Sequence, residues 1–294
     1  MKRGNNVDWQ NRFNDALNYI EDNLDGKIDY SIAAKKALCS EFHFTRMFSS
    51  ITDTSLSEYI RHRRLTAAAF EIQKSDIKII DIALKYGYDS PDSFTRAFRK
   101  LHGVTPIAVR KKGTQIVSYP RISFQMTMKG VVELNYRIEE IDFEMRFAGK
   151  RLCVDTEKAF EQIPHFWEKS REDGFQQMLI DMSWEAPKCK LASLVGIIGE
   201  TSDITDEKFG YFAGVRYDSN IPEGMEELLI PECIYAVFPG TKFSDTQDIW
   251  SRIYSEWLPI SGYKLADLPC IEHYLSPDSE FAFEVWVPVL TMNE

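Results

Sequence analysis

The pentapeptide FTRMF at residues 44–48 returns, with one change, as FTRAF at residues 94–98. A phrase written twice in one chain indicates an internal structural repeat, and a repeat constrains the fold more strongly than composition does. Each copy lies in a longer stretch, residues 27–55 and residues 78–106, where one helical pattern, a break and a second helical pattern follow in order. The sequence therefore predicts two helix-turn-helix units in an all-α N-terminal domain.

The second unit has the clearer boundaries. Gly87 marks the end of its first helix, and Ser90-Pro91 is typical of an N-cap followed by a first-turn proline. In the second helix of this unit Phe94 and Phe98 lie on one apolar face. The polar residues between them are therefore expected to face outward.

The first unit has the same order of features but a weaker turn. Asp29 and Ser40 are its predicted N-caps, and Leu38 stands where the second unit has a glycine. We expect Thr45 and Arg46 to face outward from its second helix. The turn is chemically weaker because glycine adopts the left-handed conformation more readily than leucine does.

A strongly amphipathic stretch over residues 56–75 predicts a helix that joins the two units and fixes their relation. Its predicted inner residues are Leu56, Ile60, Leu65, Ala68, Phe70 and Ile72. Two similar readers on a rigid spacer can enter successive major-groove faces of one duplex, which lie about 34 Å apart. The arrangement predicts double-stranded DNA as a partner, bound by a single chain on an asymmetric site.

Arg46 and Arg96 occupy the same place in the repeated phrase and are the predicted base readers, because arginine pairs bidentately with guanine. One helix-turn-helix pattern is common in purely structural settings, but two copies with aligned arginines favour DNA binding. The predicted phosphate contacts are Arg61, Arg63, Arg64, Arg99, Lys100, Arg110, Lys111 and Lys112. The predicted DNA-binding set is Ser40, Phe42, Thr45, Arg46, Arg61, Asp92, Ser93, Thr95, Arg96 and Arg99.

The charge distribution changes along the chain. Residues 1–120 hold 19 Lys and Arg against 14 Asp and Glu, whereas residues 121–294 hold 16 against 31. Such asymmetry indicates that one half meets a polyanion and the other does not. We predict a DNA-binding domain over residues 1–112, a linker over residues 113–130 whose IVSY segment could form a short strand, and an effector-binding domain over residues 131–294.

Cysteine usage and hydropathy suit a soluble, cytoplasmic protein. The five cysteines are scattered and form no Cys-x-x-Cys pair, and no stretch approaches eighteen consecutive apolar residues. The sequence implies no cofactor, no metal site and no membrane partner. It also shows no Ser-His-acid arrangement, since His165 and His273 look isolated.

The C-terminal half predicts an α+β domain with an internal duplication. The order strand, helix, strand, strand occurs once over residues 132–217 and again over residues 233–290. The first helical pattern, over residues 158–182, is expected to be kinked or initiated at Pro164. Two such units packed side by side would leave a cleft between them.

Strand alternation indicates what faces that cleft. In CIEHYL, Glu272 and Tyr274 share one face, and in FAFEVWV, Glu284 and Trp286 share one face. Carboxylates interleaved with aromatic rings would favour a cationic guest. The alternative is that these acids face water on the outer side of an antiparallel sheet. The predicted effector-binding set is Trp167, Tyr211, Phe212, Trp257, Tyr263, Glu272, Tyr274, Glu284 and Trp286.

Two family resemblances rest on these segments. IALKYGYDSPDSFTRAFRKLHGVTP closely resembles the signature of the AraC/XylS regulators, and YIEDNL is similar to the start of their stress-response members. RFAGKR, FGYFAGVRY, WLPISGYKLADLPCIEHY and FEVWVPV resemble the GyrI-like effector-binding domain, whose drug-binding members hold a glutamate like Glu272 in an aromatic pocket. The order of the two halves is similar to Rob-like regulators. The resemblance implies an activator that contacts RNA polymerase.

The leading hypothesis is therefore a DNA-binding transcription regulator whose C-terminal domain binds a small, cationic or aromatic effector, and not an enzyme. The main alternative is a GyrI-like hydrolase of small electrophiles, with Glu272 or Glu284 as general acid or base. A third possibility is a protein-interaction domain whose cleft is closed by side chains.

Overall fold

The computed structural model describes residues 4–111, 113–125, 133–185, 190–199 and 208–291. Contacts between residues divide the chain into two compact units. The helical unit comprises Val7–Glu41 and Thr54–Gln125, and the sheet unit comprises Met1–Asn6, Phe42–Asp53 and Met126–Glu294. No helix within the described ranges has the length and apolar character needed to cross a membrane.

Seven helices are described before the connector. They are α1 Gly4–Asp22, α2 Tyr30–Lys36, α3 Glu41–Thr52, α4 Leu56–Lys74, α5 Ile79–Lys85, α6 Pro91–His102 and α7 Pro106–Val109. The predicted all-α N-terminal region with two helix-turn-helix sequences, α2 to α3 and α5 to α6, is confirmed. Apart from its first residue, α3 groups by its contacts with the sheet unit.

Side-chain caps fix the starts of these helices. Asp29 accepts a hydrogen bond from the backbone N of Ser31, and Ser90 accepts one from the backbone N of Ser93, so these two predicted N-caps are confirmed, while Ser40 as the cap of α3 stays a prediction. Pro91 occupies the first turn of α6. An N-cap side chain that accepts a hydrogen bond from a backbone N–H of the first turn satisfies a donor that has no partner within the helix.

The two turns have the same backbone conformation. Leu38 has φ 57° and Gly87 has φ 80°, both in the left-handed region. After Leu38, the N of Cys39 donates to the carbonyl of Ala34 at 3.1 Å, and after Gly87 the N of Tyr88 donates to that of Ala83 at 2.9 Å. The repeat is therefore structural as well as sequential, and leucine holds a conformation in the first copy that suits glycine.

One hydrophobic cluster of the helical unit is formed by α4, α5, α6 and α7. Leu65, Ala68 and Ile72 of α4 pack with Phe94 and Phe98 of α6 in one buried cluster. The prediction that Phe70 faces inward is wrong: its side chain is 42% exposed. The buried row of α4 passes through positions 65, 68, 69 and 72, which places position 70 on the other side of the helix.

The connector is fastened to the helical unit along its described length. Residues 113–125 form no helix or strand, so the short strand suggested by IVSY is absent from this segment. The backbone N of Tyr119 donates to Oγ1 of Thr66 at 3.2 Å, and the N of Ile122 donates to the hydroxyl of Tyr59 at 3.1 Å. These bonds hold the segment against α4.

The sheet unit contains α3 and the elements after residue 132. Its strands are β1 Arg137–Ile141, β2 Met145–Asp155, β3 Leu194–Ile198, β4 Lys208–Arg216, β5 Glu226–Ile230, β6 Cys233–Gly240, β7 Tyr263–Leu265, β8 Cys270–Tyr274 and β9 Phe283–Thr291. Its later helices are α8 Ala159–Glu172, α9 Phe175–Glu185, α10 Thr246–Arg252 and α11 Leu258–Ser261, with a π-helical turn Ile253–Trp257 between the last two. The helical stretch predicted over residues 158–182 is thus two helices. The break falls at Gly174 with φ 83°, while Pro164 lies inside α8.

The strands form one antiparallel sheet with the order β1-β6-β9-β8-β3-β4-β2-β5, and β7 pairs with β9. The predicted duplication is confirmed, since β2, α8 with α9, β3 and β4 repeat as β6, α10 with α11, β8 and β9. The two copies meet where β8 pairs with β3. Each copy lends its preceding strand to the other, because β1 pairs with β6 and β5 pairs with β2.

Candidate functional site

A cavity of about 510 Å³ opens on one face of the sheet, inside the sheet unit. It is bounded by α3, α8, α10 and the strands β3, β4 and β8. Its aromatic lining residues are Phe42, Trp167, Phe209, Phe243, Trp250 and Tyr274. A concave apolar site with a few polar groups is the usual form of a small-molecule site.

Strand register puts the carboxylate of Glu272 in this cavity. Glu272 lies opposite Gly196 of β3, and Tyr274 lies two residues further on the same face of β8. Both residues line the cavity, as strand alternation predicted that they would share a face. Gly196 makes room here, because a Cβ at that position would lie 2.2 Å from the hydroxyl oxygen of Tyr211.

Hydrogen bonds hold the Glu272 carboxylate in place. Its Oε1 accepts from Nε1 of Trp250 at 3.0 Å, and its Oε2 accepts from the hydroxyl of Tyr274 at 2.9 Å. The hydroxyls of Tyr274 and Tyr211 are 3.1 Å apart, and Nε1 of Trp167 donates to Tyr211 at 2.8 Å. One chain of donors therefore runs from α8 across the sheet to the acid.

The electrostatics of this chain leave a negative charge on a mostly apolar surface. Burial raises the pKa of both Tyr211 and Tyr274, so these hydroxyls stay protonated and act as donors. Glu272 is 8% exposed, and the two side chains that donate hydrogen bonds to it, Trp250 and Tyr274, are neutral aromatic residues. Such a carboxylate attracts a cation more strongly than one in water, since little solvent screens it.

Arg46 supplies the cation in this structure. Its guanidinium carbon lies 3.9 Å from the ring centroid of Trp250, and its Nη2 lies 3.9 Å from Oε1 of Glu272. The prediction that Arg46 faces outward is therefore wrong here: its side chain is 18% exposed. The reason is that the polar face of α3 packs against other residues of the sheet unit, so a side chain on this face is shielded from solvent.

The other residues of the predicted effector set lie in three places. Trp167, Glu272 and Tyr274 line the cavity, and Tyr211 bonds to two of them. Phe212 and Trp286 belong to the core on the opposite sheet face. Trp257 and Tyr263 stack on each other at 5.9 Å and do not line the cavity.

Glu284 also lies on the opposite face, because it pairs with His273 and not with Glu272 in the register of β8 and β9. Its Oε1 accepts from Nη1 of Arg137 at 2.7 Å. Although burial opposes ionisation, the hydrogen bonds from His273 and Arg137 lower the pKa of Glu284 to about 2. Glu284 is thus a paired acid outside the cavity.

His273 is not isolated, contrary to the sequence interpretation. Its Nε2 lies 2.8 Å from Oγ of Ser193, and its Nδ1 lies 3.4 Å from Oε2 of Glu284. The Ser193 hydroxyl, however, donates its single proton to the carbonyl of Tyr274 at 2.6 Å. Nε2 of His273 must then donate to Ser193, which is the reverse of what a general base does for a nucleophile.

On the DNA side, α6 presents the features expected of a reading helix. Arg96 and Arg99 are exposed, as is Asp92, while Thr95 is half-buried. Ser93 is engaged locally, since its Oγ donates to the carbonyl of Ser90 at 2.8 Å. The outward arginines and the buried phenylalanines thus lie on different faces of α6.

Several predicted phosphate contacts are held inside the helical unit. Arg63 pairs with Glu21 at 2.7 Å, and Arg64 donates to the carbonyl oxygens of Leu24 and Gly26 at 2.9 and 2.6 Å. These guanidiniums therefore tie α4 to the end of α1 and the following turn. Arg61 is exposed and pairs with Glu58 at 3.2 Å. Lys112 lies outside the described residues.

Sequence reasoning missed Trp250, Phe209 and Phe243 as cavity residues. Trp250 lies on α10 and Phe243 in the turn before it, where the sequence offers no alternation to show which way they face. Phe209 occurs in the strand that was identified, and its parity with Tyr211 could have marked it. Phe42 and Arg46 were assigned to DNA, because nothing local relates α3 to a distant sheet.

Comparison with known proteins agrees with both halves. Residues 134–290 match the GyrI-like small molecule binding domain, and residues 33–112 match a helix-turn-helix domain. The transposon Tn10 TetD protein of Escherichia coli is 43% identical over 97 residues, which are 33% of this chain and 70% of TetD.

The HTH-type transcriptional activator AarP of Providencia stuartii is 37% identical over 100 residues, which are 34% of this chain and 74% of AarP. The solved structure of SAV2435 bound to tetraphenylphosphonium covers 53% of this chain and 94% of that chain, with 19% identity and a TM-score of 0.45. With its helix-turn-helix region followed by a GyrI-like small-molecule binding domain, the chain belongs to the AraC family of DNA-binding transcription regulators.

Proposed function

We propose that this protein is a cytoplasmic transcription activator in which α3 and α6 read one DNA duplex and the cavity binds a small aromatic cation. The division into a reader over residues 1–112, a linker and a sensor over residues 131–294 belongs to this proposal. The proposal includes a contact with RNA polymerase, and the name of AarP supports activation as the direction of regulation.

The observation that carries the ligand class is the buried carboxylate of Glu272 among aromatic rings. Trp250 and Tyr274 each donate a hydrogen bond to it, so the carboxylate stays fixed beside the two rings that line the cavity. A quaternary or aromatic cation gains from both the charge and the ring faces. A neutral ligand of the same shape gains only from apolar burial.

The DNA part of the proposal is supported by α6. Its exposed Arg96 has the length and the fork of donors needed to reach guanine in the major groove. Exposed Arg99 and Lys100 on the same helix suit phosphate contacts. The first reading helix, α3, carries the equivalent Arg46.

The ligand class is tested by Glu272→Gln, which keeps shape and removes charge. Tetraphenylphosphonium is the cationic probe and triphenylphosphine oxide the neutral one, both measured by isothermal titration calorimetry. We expect the variant to weaken binding of the cation by at least about tenfold, or about 1.4 kcal/mol, because it removes the carboxylate charge that attracts the cation in a poorly solvated site. Binding of the neutral probe should weaken by much less.

Glu284→Gln is the matched control, because it makes the same change at a buried acid on the opposite sheet face. It should leave both probe affinities unchanged. Equal weakening of the cationic and the neutral probe by Glu272→Gln would contradict a charge-selective cavity.

A further inference from the structure

Two side chains of α3 pack this helix against the rest of the sheet unit. The Phe42 ring lies 6.2 Å from that of Phe209 and covers Gly199, where a Cβ would come within 2.4 Å of it. His43 is 1% exposed, and its Nε2 lies 3.1 Å from the carbonyl oxygen of Ala266. These contacts surround the place where Arg46 enters the cavity.

Arg46 makes the two contacts that the proposed ligand would make. Its guanidinium stacks on the indole of Trp250 at 3.9 Å, and its charge faces the Glu272 carboxylate. An aromatic cation that used the same indole face and the same acid would need the space that the guanidinium fills. The cation subsite is therefore occupied by the protein itself.

The hold on Arg46 is incomplete, which makes it releasable. Its 3.9 Å distance to Glu272 exceeds hydrogen-bond length, and its buried Nε lacks a hydrogen-bond partner among the described residues. A buried donor left unpaired costs free energy that a better position would recover. A ligand thus competes with a stacked guanidinium and not with a bidentate ion pair.

The same side chain is the proposed base reader of α3. A guanidinium stacked on Trp250 and 18% exposed cannot reach a base edge at the same time. We propose that Arg46 is the resident occupant of the effector subsite, and that an aromatic cation binding there displaces it and frees α3 for DNA. This inference rests on the proposed function.

The coupling has a definite sign. A ligand that binds only when the Arg46 side chain has left the cavity shifts the population toward molecules in which α3 can bind DNA. DNA that binds α3 shifts the population in the same direction. By linkage, the cation raises DNA affinity and DNA raises cation affinity by the same factor. The factor is limited by the fraction of molecules with Arg46 docked in the absence of either partner.

The first test uses the full chain and the cavity probes. Arg46→Ala should tighten tetraphenylphosphonium by about tenfold, because the internal competitor is gone. It should also tighten binding of neutral triphenylphosphine oxide. The loss of a repelling positive charge would affect only the cationic probe, so tighter binding of the neutral probe shows that Arg46 competes for space. Arg252→Ala removes a guanidinium of the same unit that does not line the cavity, and should change neither probe. Unchanged affinity for the neutral probe in Arg46→Ala would overturn the inference.

The second test measures DNA binding, with a duplex selected from a random-sequence library by the full chain. Saturating tetraphenylphosphonium should raise the affinity of the wild type severalfold. Glu272→Gln, which loosens Arg46, should raise it without any ligand, and Glu284→Gln should not. If the probe binds but leaves DNA affinity unchanged or lower, the inference fails and the proposed function survives. If the probe does not bind at all, the proposed ligand class fails, and the ligand-free comparison of the two Glu→Gln variants still decides the inference.

Discussion

Arg46 and Arg96 hold the same position in a repeated phrase, yet their surroundings differ. Arg96 is exposed on α6, whereas Arg46 stacks on Trp250. The repeat predicted the helices and their caps, because those depend on neighbours within a few residues. It could not predict the environment of Arg46, which is set by residues about two hundred positions away.

Arg96→Ala tests the exposed reader. We expect a loss of roughly 1–3 kcal/mol on a selected duplex together with relaxed specificity at one base pair. Lys100→Ala, on the same helix, should weaken selected and random duplexes alike and lower the salt dependence of binding. Fluorescence anisotropy at two salt concentrations measures both. Equal losses on selected and random DNA for Arg96→Ala would argue against base reading.

For the cavity, strand parity predicted that Glu272 and Tyr274 act together, since alternation is a local property. Parity within β9 likewise grouped Glu284 with Trp286. It could not say which face of the sheet each group occupies, because that depends on the pairing of His273 with Glu284 across strands. Half of the predicted acid pair therefore lies away from the cavity.

At the scale of elements, the two turns offer an internal comparison. Leu38 and Gly87 have the same left-handed backbone, but a side chain with a Cβ pays a steric cost there. Leu38 is also 44% exposed, so removing its side chain loses little apolar burial. The sequence predicted this weakness from one substitution in an otherwise shared pattern.

Leu38→Gly should therefore stabilise the full chain by about 0.5–1 kcal/mol, after allowing for the greater entropy of unfolded glycine. Gly87→Ala should destabilise it, because φ 80° disfavours a Cβ that would also lie 2.9 Å from Nη1 of Arg64. Urea denaturation followed by circular dichroism measures both. A destabilised Leu38→Gly would show that the leucine side chain contributes more than its backbone strain removes.

At the scale of the whole molecule, the docking of α3 within the sheet unit is sensitive to acid. Burial lowers the pKa of His43 to about 4, with the nearby charge of Arg46 acting in the same direction and Asp267 opposing it. An unfolded histidine takes up a proton below about pH 6.5, whereas folded His43 does not until about pH 4. Stability is therefore lost as pH falls through this window, by up to about 3 kcal/mol at its lower end.

His43→Gln can keep a hydrogen bond to the Ala266 carbonyl and cannot titrate. We expect its melting temperature to fall less than that of the wild type between about pH 7 and about pH 5. His102, whose pKa is also lowered by burial, contributes to the remaining fall in both proteins. His165→Gln, at an exposed histidine, is the control. Parallel pH profiles of wild type and His43→Gln would contradict a buried neutral His43.

The exchange of strands between the two copies of the sheet has an evolutionary consequence. β1 pairs with β6 of the second copy, and β5 pairs with β2 of the first copy, so each copy contributes the edge strand of the other. A lone ancestral unit could reach the same pairing by trading that strand with an identical molecule. Fusion of such a swapped pair into one polypeptide would account for the architecture, and removing either half would expose the edge strand of the other.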